Sequence, residues 1–197
     1  EAMNKYLSGP ATPDLLTGLN YSDIDDLKRI YFEELYSHIA PNSQYKIIID
    51  KHPLNLINIG IIHRVFPNSK FIFALRHPYD CVLSCFMQNF KLNSAMINFL
   101  TLQQSAKLYN AVMKLWSCYN RALNLDVGIL KYEDLVEDLQ GTVEPLLINL
   151  GLEWNDSLLN YQETAMLRGK ISTASYNQVT QSLYRHASGR WKNYKTR

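Results

Sequence analysis

Apolar side chains between residues 22 and 40 fall at Ile24, Leu27, Ile30, Tyr31, Leu35 and Ile39, steps of three and four that gather on one helix face. The spacing predicts an amphipathic helix with Ser22 or Asp23 as its N-cap. Pro41-Asn42-Ser43-Gln44 breaks the pattern, and Tyr45-Lys46-Ile47-Ile48-Ile49-Asp50 reads as a short strand buried on both faces, ending at Lys51-His52-Pro53. A helix is expected from Leu54 to Val65, stopped by Phe66-Pro67-Asn68-Ser69. The apolar run Lys70 to Leu75 then reads as a second strand, ending at Arg76-His77-Pro78. Pro78 and Asp80 suit the first turn of a helix over 79–90, where proline is tolerated and an acid meets the positive helix end. Helices over 102–123 and 139–150 flank a third strand, Val127 to Lys131, which leads into Tyr132-Glu133-Asp134-Leu135.

Strands alternating with helices imply an α/β class with a parallel sheet. Ligands of such sheets lie off the carboxyl ends of the strands, and Lys51, Arg76 and Tyr132 each fall at or just past such an end. Each also has a plain reading: a solvated loop cation for Lys51, a helix-carbonyl cap or an Asp80 partner for Arg76, a core ring for Tyr132. Ser84 lies eight residues after Arg76, about 12 Å along a helix, so the two share a ligand only if the intervening turn folds back. Ser84 otherwise serves as a small residue where helix and sheet approach.

The chain has 197 residues, 47% of them apolar and 19% charged, enough for one globular domain and too apolar for a disordered or collagenous chain. No apolar run reaches the ~20 residues of a membrane-spanning helix. Three cysteines, Cys81, Cys85 and Cys118, are too few for a disulfide framework. Cys81 and Cys85, one helical turn apart, read as buried thiols, and without a second ligand pair they do not make a zinc site. Beyond Glu163 there is no acid, while Arg168, Lys170, Arg185, Arg190, Lys192, Lys195 and Arg197 supply seven cations. The 164–197 segment is thus a basic C-terminal arm suited to an anionic partner. Its spread-out charge fits a compact phosphate-bearing ligand as well as a nucleic acid.

Several segments, taken together and in order, resemble the sulfotransferase family: Asp50-Lys51-His52-Pro53-Leu54-Asn55, Gly60 to Pro67, Arg76-His77-Pro78-Tyr79-Asp80 through Ser84 to Phe90, Tyr132-Glu133-Asp134-Leu135, Gly151-Leu152-Glu153-Trp154, Thr173 to Val179, and Gly189-Arg190-Trp191-Lys192-Asn193-Tyr194. The resemblance is nearest to the branch of tyrosylprotein sulfotransferases and bacterial enzymes with tetratricopeptide repeats, and it covers about residues 45 to 195. It implies a P-loop-NTPase-like three-layer fold and metal-free sulfuryl transfer from 3'-phosphoadenosine 5'-phosphosulfate to an acceptor hydroxyl on a protein tyrosine, a glycan or a small molecule. No nucleic-acid partner and no membrane segment are implied. By resemblance Arg76 and Ser84 match the pair holding the 3'-phosphate, and Tyr132 and Arg190 match positions near the adenosine and that phosphate. Lys51 matches the lysine facing the transferring group, Ser175 a serine touching the donor phosphate, and Glu1 stands where the branch carries its catalytic base. Lys192 joins Arg190 as a cation for the donor.

The family's Gly-rich phosphosulfate loop and its strand have no counterpart among the eight glycines of this chain. The 197 residues therefore read as one sulfotransferase domain lacking its N-terminal P-loop strand, an N-terminally truncated fragment. A non-catalytic nucleotide-binding or scaffold remnant of the same fold is the competing reading. A P-loop kinase, with Asp50 as magnesium ligand, fits less well because Lys51 follows directly. Asn20-Tyr21-Ser22 and Asn155-Asp156-Ser157 would accept glycans only in a secretory compartment. Sparse cysteines point to a bacterial cytoplasm, or to the Golgi lumen for a tyrosylprotein-type relative. The 91–101 segment is a candidate lining for the acceptor pocket. In a donor-coupled assay the isolated 197 residues are expected to transfer little or no sulfate; turnover matching that of a protein with the upstream loop restored would contradict this.

Overall fold

The computed structural model describes residues 12–38, 47–167, 183 and 187–194. They form two compact units, the first drawn from residues 1–69 and 112–125, the second from 70–111 and 126–197.

In the first unit, α1 (Pro13–Gly18) and α2 (Tyr21–Ser37) are separated by Leu19 and Asn20. Asn20 is the N-cap of α2, two residues before the expected Ser22. Its Oδ1 accepts the Asp23 N–H at 3.1 Å while Asp23 Oδ2 accepts the Asn20 N–H at 2.9 Å, a reciprocal box that satisfies two orphan donors at once. Pro53–Asn58 is a 3₁₀ helix and Ile59–Val65 an α-helix, α3, so the single helix expected over 54–65 is split. Leu19, Ile24, Leu27, Ile61 and Val65 form the core of this unit, with Leu16 and Phe66 against it. Arg64 closes the end of α1 by donating to the Leu16 and Leu19 carbonyls at 3.2 and 2.8 Å.

The strand expected over 45–50 is not in the sheet. Ile47, Ile48, Ile49 and Asp50 carry no ladder bonds, and Ile49 is 73% exposed; Tyr45 and Lys46 lie outside the described residues. β-branched residues fit a pleated surface but do not supply the neighbouring strand that a ladder requires.

The second unit holds a parallel pair, β1 (Lys70–Leu75) and β2 (Asp126–Lys131), in a register from Lys70↔Asp126 to Leu75↔Lys131. This is the expected α/β arrangement, with a two-stranded sheet among the described residues. Between the strands run α4 (Pro78–Met87), a 3₁₀ turn at Met96–Phe99 and α5 (Leu102–Ala122), of which residues 112–122 belong to the first unit. After β2 come α6 (Tyr132–Glu137), α7 (Leu139–Leu150), a 3₁₀ turn at Asp156–Asn160, α8 (Tyr161–Leu167) and a final 3₁₀ turn at Arg190–Tyr194. At the amino end of the sheet Lys70 Nζ lies 3.5 Å from Asp126 and also donates to the Asn149 carbonyl, while Asn149 Nδ2 donates to Asp126 at 3.1 Å. Leu146 of α7 packs where a side chain on Gly128 would stand, 2.5 Å from its Cβ position.

Gly151 ends α7 in the left-handed region at φ 73°, its N–H bonded to Ile148 O at 3.0 Å while the Leu152 N–H reaches Leu147 O at 2.8 Å. Nothing stands within 4 Å of its Cβ position, so an added methyl group meets backbone strain alone. Gly151→Ala is expected to lower stability by about 1 kcal/mol, read as a fall in the urea midpoint with unchanged slope; an unchanged midpoint would refute this account of the cap.

Candidate functional site

The register places Leu75 opposite Lys131, so the residues that follow, Arg76 and Tyr132, leave the sheet side by side at its carboxyl edge. Parallel strands run ~4.8 Å apart, and the Arg76 guanidinium lies 4.8 Å from the Tyr132 ring centroid. That is within cation–π range, and the guanidinium is half-buried there. Arg76 donates through Nη2 to the Ala187 carbonyl at 2.7 Å. Its Nε is buried with no hydrogen-bond partner among the described residues. A buried N–H without an acceptor costs ~1–3 kcal/mol, so this donor is open to an oxygen acceptor.

The turn after β1 is held from two sides. Glu133 Oε1 accepts the His77 N–H at 2.9 Å, tying the start of α6 to the start of α4. Asp80, 1% exposed, accepts the Gly189 N–H at 2.6 Å and the Trp191 N–H at 2.9 Å. The Trp191 indole stacks on His77 with centroids 5.1 Å apart at 11°, and meets Tyr79 edge to face at 5.0 Å. The basic segment at 187–194 is therefore anchored on the Arg76–Asp80 turn, with Arg190 and Lys192 exposed upon it. Gly189 adopts φ 74° within this segment, a conformation that glycine takes without strain.

Of the residues singled out in the sequence, Arg76, Ser84, Tyr132, Arg190 and Lys192 all belong to the second unit. Ser84 is half-buried on α4. Lys51 belongs to the first unit, exposed at the turn before the 3₁₀ helix; beside it Asp50 accepts from Asn55 Nδ2 at 3.4 Å and from Tyr31 Oη at 3.5 Å. Burial and the Asp50 charge push the Tyr31 hydroxyl pKa up. Glu1 and Ser175 lie outside the described residues. Arg76 does not pair with Asp80, because each is bonded instead to the backbone of the 187–191 segment. Asp80, Glu133 and Trp191 are site residues that the sequence reading passed over. The signal available for Asp80 was its place in Arg76-His77-Pro78-Tyr79-Asp80, where it looked like an ordinary first-turn acid.

Cys81 and Cys85 are half-buried on α4 rather than fully buried, and Cys118 is exposed. A hydrogen bond from the Cys85 thiol lowers the Cys81 pKa to about 7 against the effect of burial, with help from the Arg76 charge; the same bond and burial push Cys85 up. In the 91–101 segment Leu92, Ile97 and Leu100 are exposed while Phe99 packs on Phe90 at 5.3 Å. A separate cleft beside β2 is lined by Ile129, Lys131, Asp134, Glu137 and Asp138. With three carboxylates to one ammonium, it has the wrong sign for a polyanion. Among the described residues no helix is long and apolar enough to cross a membrane, and no three His, Cys, Asp or Glu side chains gather as a metal site would need.

A profile described as the sulfotransferase family matches residues 16–156, the stretch from α1 through both strands and α7. The chain belongs to the sulfotransferase family. It is also similar to an uncharacterized protein of Aquifex aeolicus (strain VF5), 29% identical over 157 residues that make up 78% of this chain and 20% of that protein. The chain thus spans about a fifth of that relative's length. Arg190 and Lys192 lie beyond the matched range, and their link to the Arg76–Asp80 turn is through their neighbours Gly189 and Trp191.

With the lowered pKa, the thiolate form of Cys81 grows in as pH rises through about 7, earlier than for an ordinary cysteine. Iodoacetamide at neutral pH is expected to label Cys81 well ahead of Cys85, as read by peptide mass spectrometry. Equal labelling rates would rule out the thiol pairing on α4.

Proposed function

We propose that this chain holds 3'-phosphoadenosine 5'-phosphosulfate at the carboxyl edge of the β1–β2 pair and serves, as one sulfotransferase domain, in sulfuryl transfer to an acceptor hydroxyl. The observation that carries the reading is the half-buried Arg76 guanidinium over Tyr132, with a buried Nε–H that no described residue satisfies. A phosphate oxygen is the acceptor that fits, because an arginine fork makes charge-assisted bonds to it. In this reading Arg76 and Ser84 grip the 3'-phosphate, Tyr132 flanks the guanidinium and the nucleotide, and Arg190 with Lys192 supplies further positive charge. Ser175 reaches the donor phosphate.

The donor brings an activated sulfuryl group whose transfer develops negative charge on the bridging oxygen. A fixed ammonium stabilises that charge, and Lys51 is the residue assigned to it. Glu1 is assigned the acceptor's proton. The Asp80 and Glu133 bonds keep the Arg76 turn in place while the nucleotide enters and leaves. Family membership supports sulfuryl transfer in general; the donor, the acceptor and each residue's role are part of the proposal, as is a cytoplasmic setting. A non-catalytic relative with the same nucleotide grip would bind the donor and give no turnover in a donor-coupled assay of the whole natural protein.

Arg76→Ala is expected to weaken binding of adenosine 3',5'-bisphosphate by roughly 1.5–3 kcal/mol, the range for hydrogen bonds to a charged group. Calorimetry on the whole protein reads it, and unchanged affinity would remove Arg76 from the site. Lys51→Ala is expected to lower kcat while leaving donor affinity nearly intact, since its help comes in the transition state. A loss confined to affinity would make Lys51 a binding residue.

A further inference from the structure

We propose that Asp80 is a positioning residue, a buried latch that aims Arg190 at the nucleotide by holding the two backbone amides on either side of it. The inference rests on the donor reading above and assigns a role within that site. The Asp80 carboxylate is almost wholly enclosed, and a buried charge is stable only when its oxygens are hydrogen-bonded. Oδ2 takes the N–H of Gly189 and Oδ1 the N–H of Trp191. Arg190 sits between them, so its backbone is fixed at both ends while its side chain stays exposed.

Three further contacts come from the same turn. Arg76 Nη2 holds the Ala187 carbonyl, His77 stacks on Trp191, and Tyr79 meets Trp191 edge to face. Residues 187, 189 and 191 of the basic segment are thus each held by a member of the Arg76–Asp80 run. The segment is joined to the strand-end turn by hydrogen bonds and by the Trp191 ring contacts with His77 and Tyr79, and its two amide bonds to Asp80 can be lost without breaking the β1–β2 ladder. Asp80 touches no nucleotide in this account; it acts through Arg190.

The test uses the full chain with Asp80→Asn, which keeps the side-chain shape but can accept only one of the two amides, and with Asp80→Ala as a second variant. Hydrogen exchange at the Gly189 and Trp191 amides is expected to speed up in both, with the β1–β2 amides unchanged. Adenosine 3',5'-bisphosphate affinity is expected to fall by about tenfold, the size of one lost hydrogen bond to a charged group. The decisive comparison is the cycle with Arg190→Ala. If Asp80 acts through Arg190, Asp80→Asn costs little further affinity once Arg190 is gone. An equal fall in both backgrounds, or unchanged exchange at the two amides, overturns the proposal. If the wild-type chain itself gives no heat with the bisphosphate, the donor reading fails, and the amide exchange alone then decides whether Asp80 holds the segment.

Discussion

Parallel pairing of β1 with β2 fixes almost everything that follows at the sheet's carboxyl edge. Because Leu75 faces Lys131, Arg76 and Tyr132 emerge as neighbours, and a guanidinium can rest on an aromatic face without any long excursion of the chain. One residue further on, His77 and Glu133 are again close enough to bond. A slip of the ladder by one residue would exchange the faces of every side chain on the strand and part both pairs. At the amino end, the Lys70, Asp126 and Asn149 cluster ties the same register to the end of α7, so the sheet is pinned at both extremities.

Charge follows a similar logic. The body of the chain outside the 164–197 arm carries 13 basic and 18 acidic residues, a net of −5, and its acids collect on surfaces such as the cleft beside β2. Of the arm's cations, Arg190 and Lys192 are displayed on a segment that backbone contacts hold to the Arg76–Asp80 turn. The described cations of the arm and the carboxylates of that cleft thus stand at different places on the second unit.

Periodicity and local chemistry make much of this legible. The runs at Lys70–Leu75 and Val127–Lys131 are strands within a residue of the expected bounds, and α7 occupies 139–150 as its pattern predicts. Local rules misjudge the Ile47–Asp50 run, because a strand is defined by its partner and no local signal says whether one is present. They also misplace the α2 cap, where Asn20 and Asp23 act as a pair rather than singly. They join two short helices over 54–65, where the first turn makes 3₁₀ bonds after Pro53. The role of Asp80 was hidden for a different reason. Its partners lie 109 and 111 residues away, and no spacing rule reaches that far.

The way half-buried Arg76 and buried Asp80 are satisfied bears on what the site can bind. Arg76 and Asp80 are four residues apart, an obvious pair, and had they bonded to each other the guanidinium charge would have been cancelled where a ligand needs it. Each takes neutral dipoles of the same segment instead: a carbonyl for the cation, two amides for the anion. Both Asp80 oxygens and the Arg76 Nη2 are satisfied in this way, while the Arg76 Nε–H is left without a partner among the described residues. A buried ion pair at this position would stabilise little, because desolvation offsets most of its attraction. Separate satisfaction by backbone dipoles holds the 187–191 segment in place without an Arg76–Asp80 ion pair, an arrangement that the proposed phosphate grip would use.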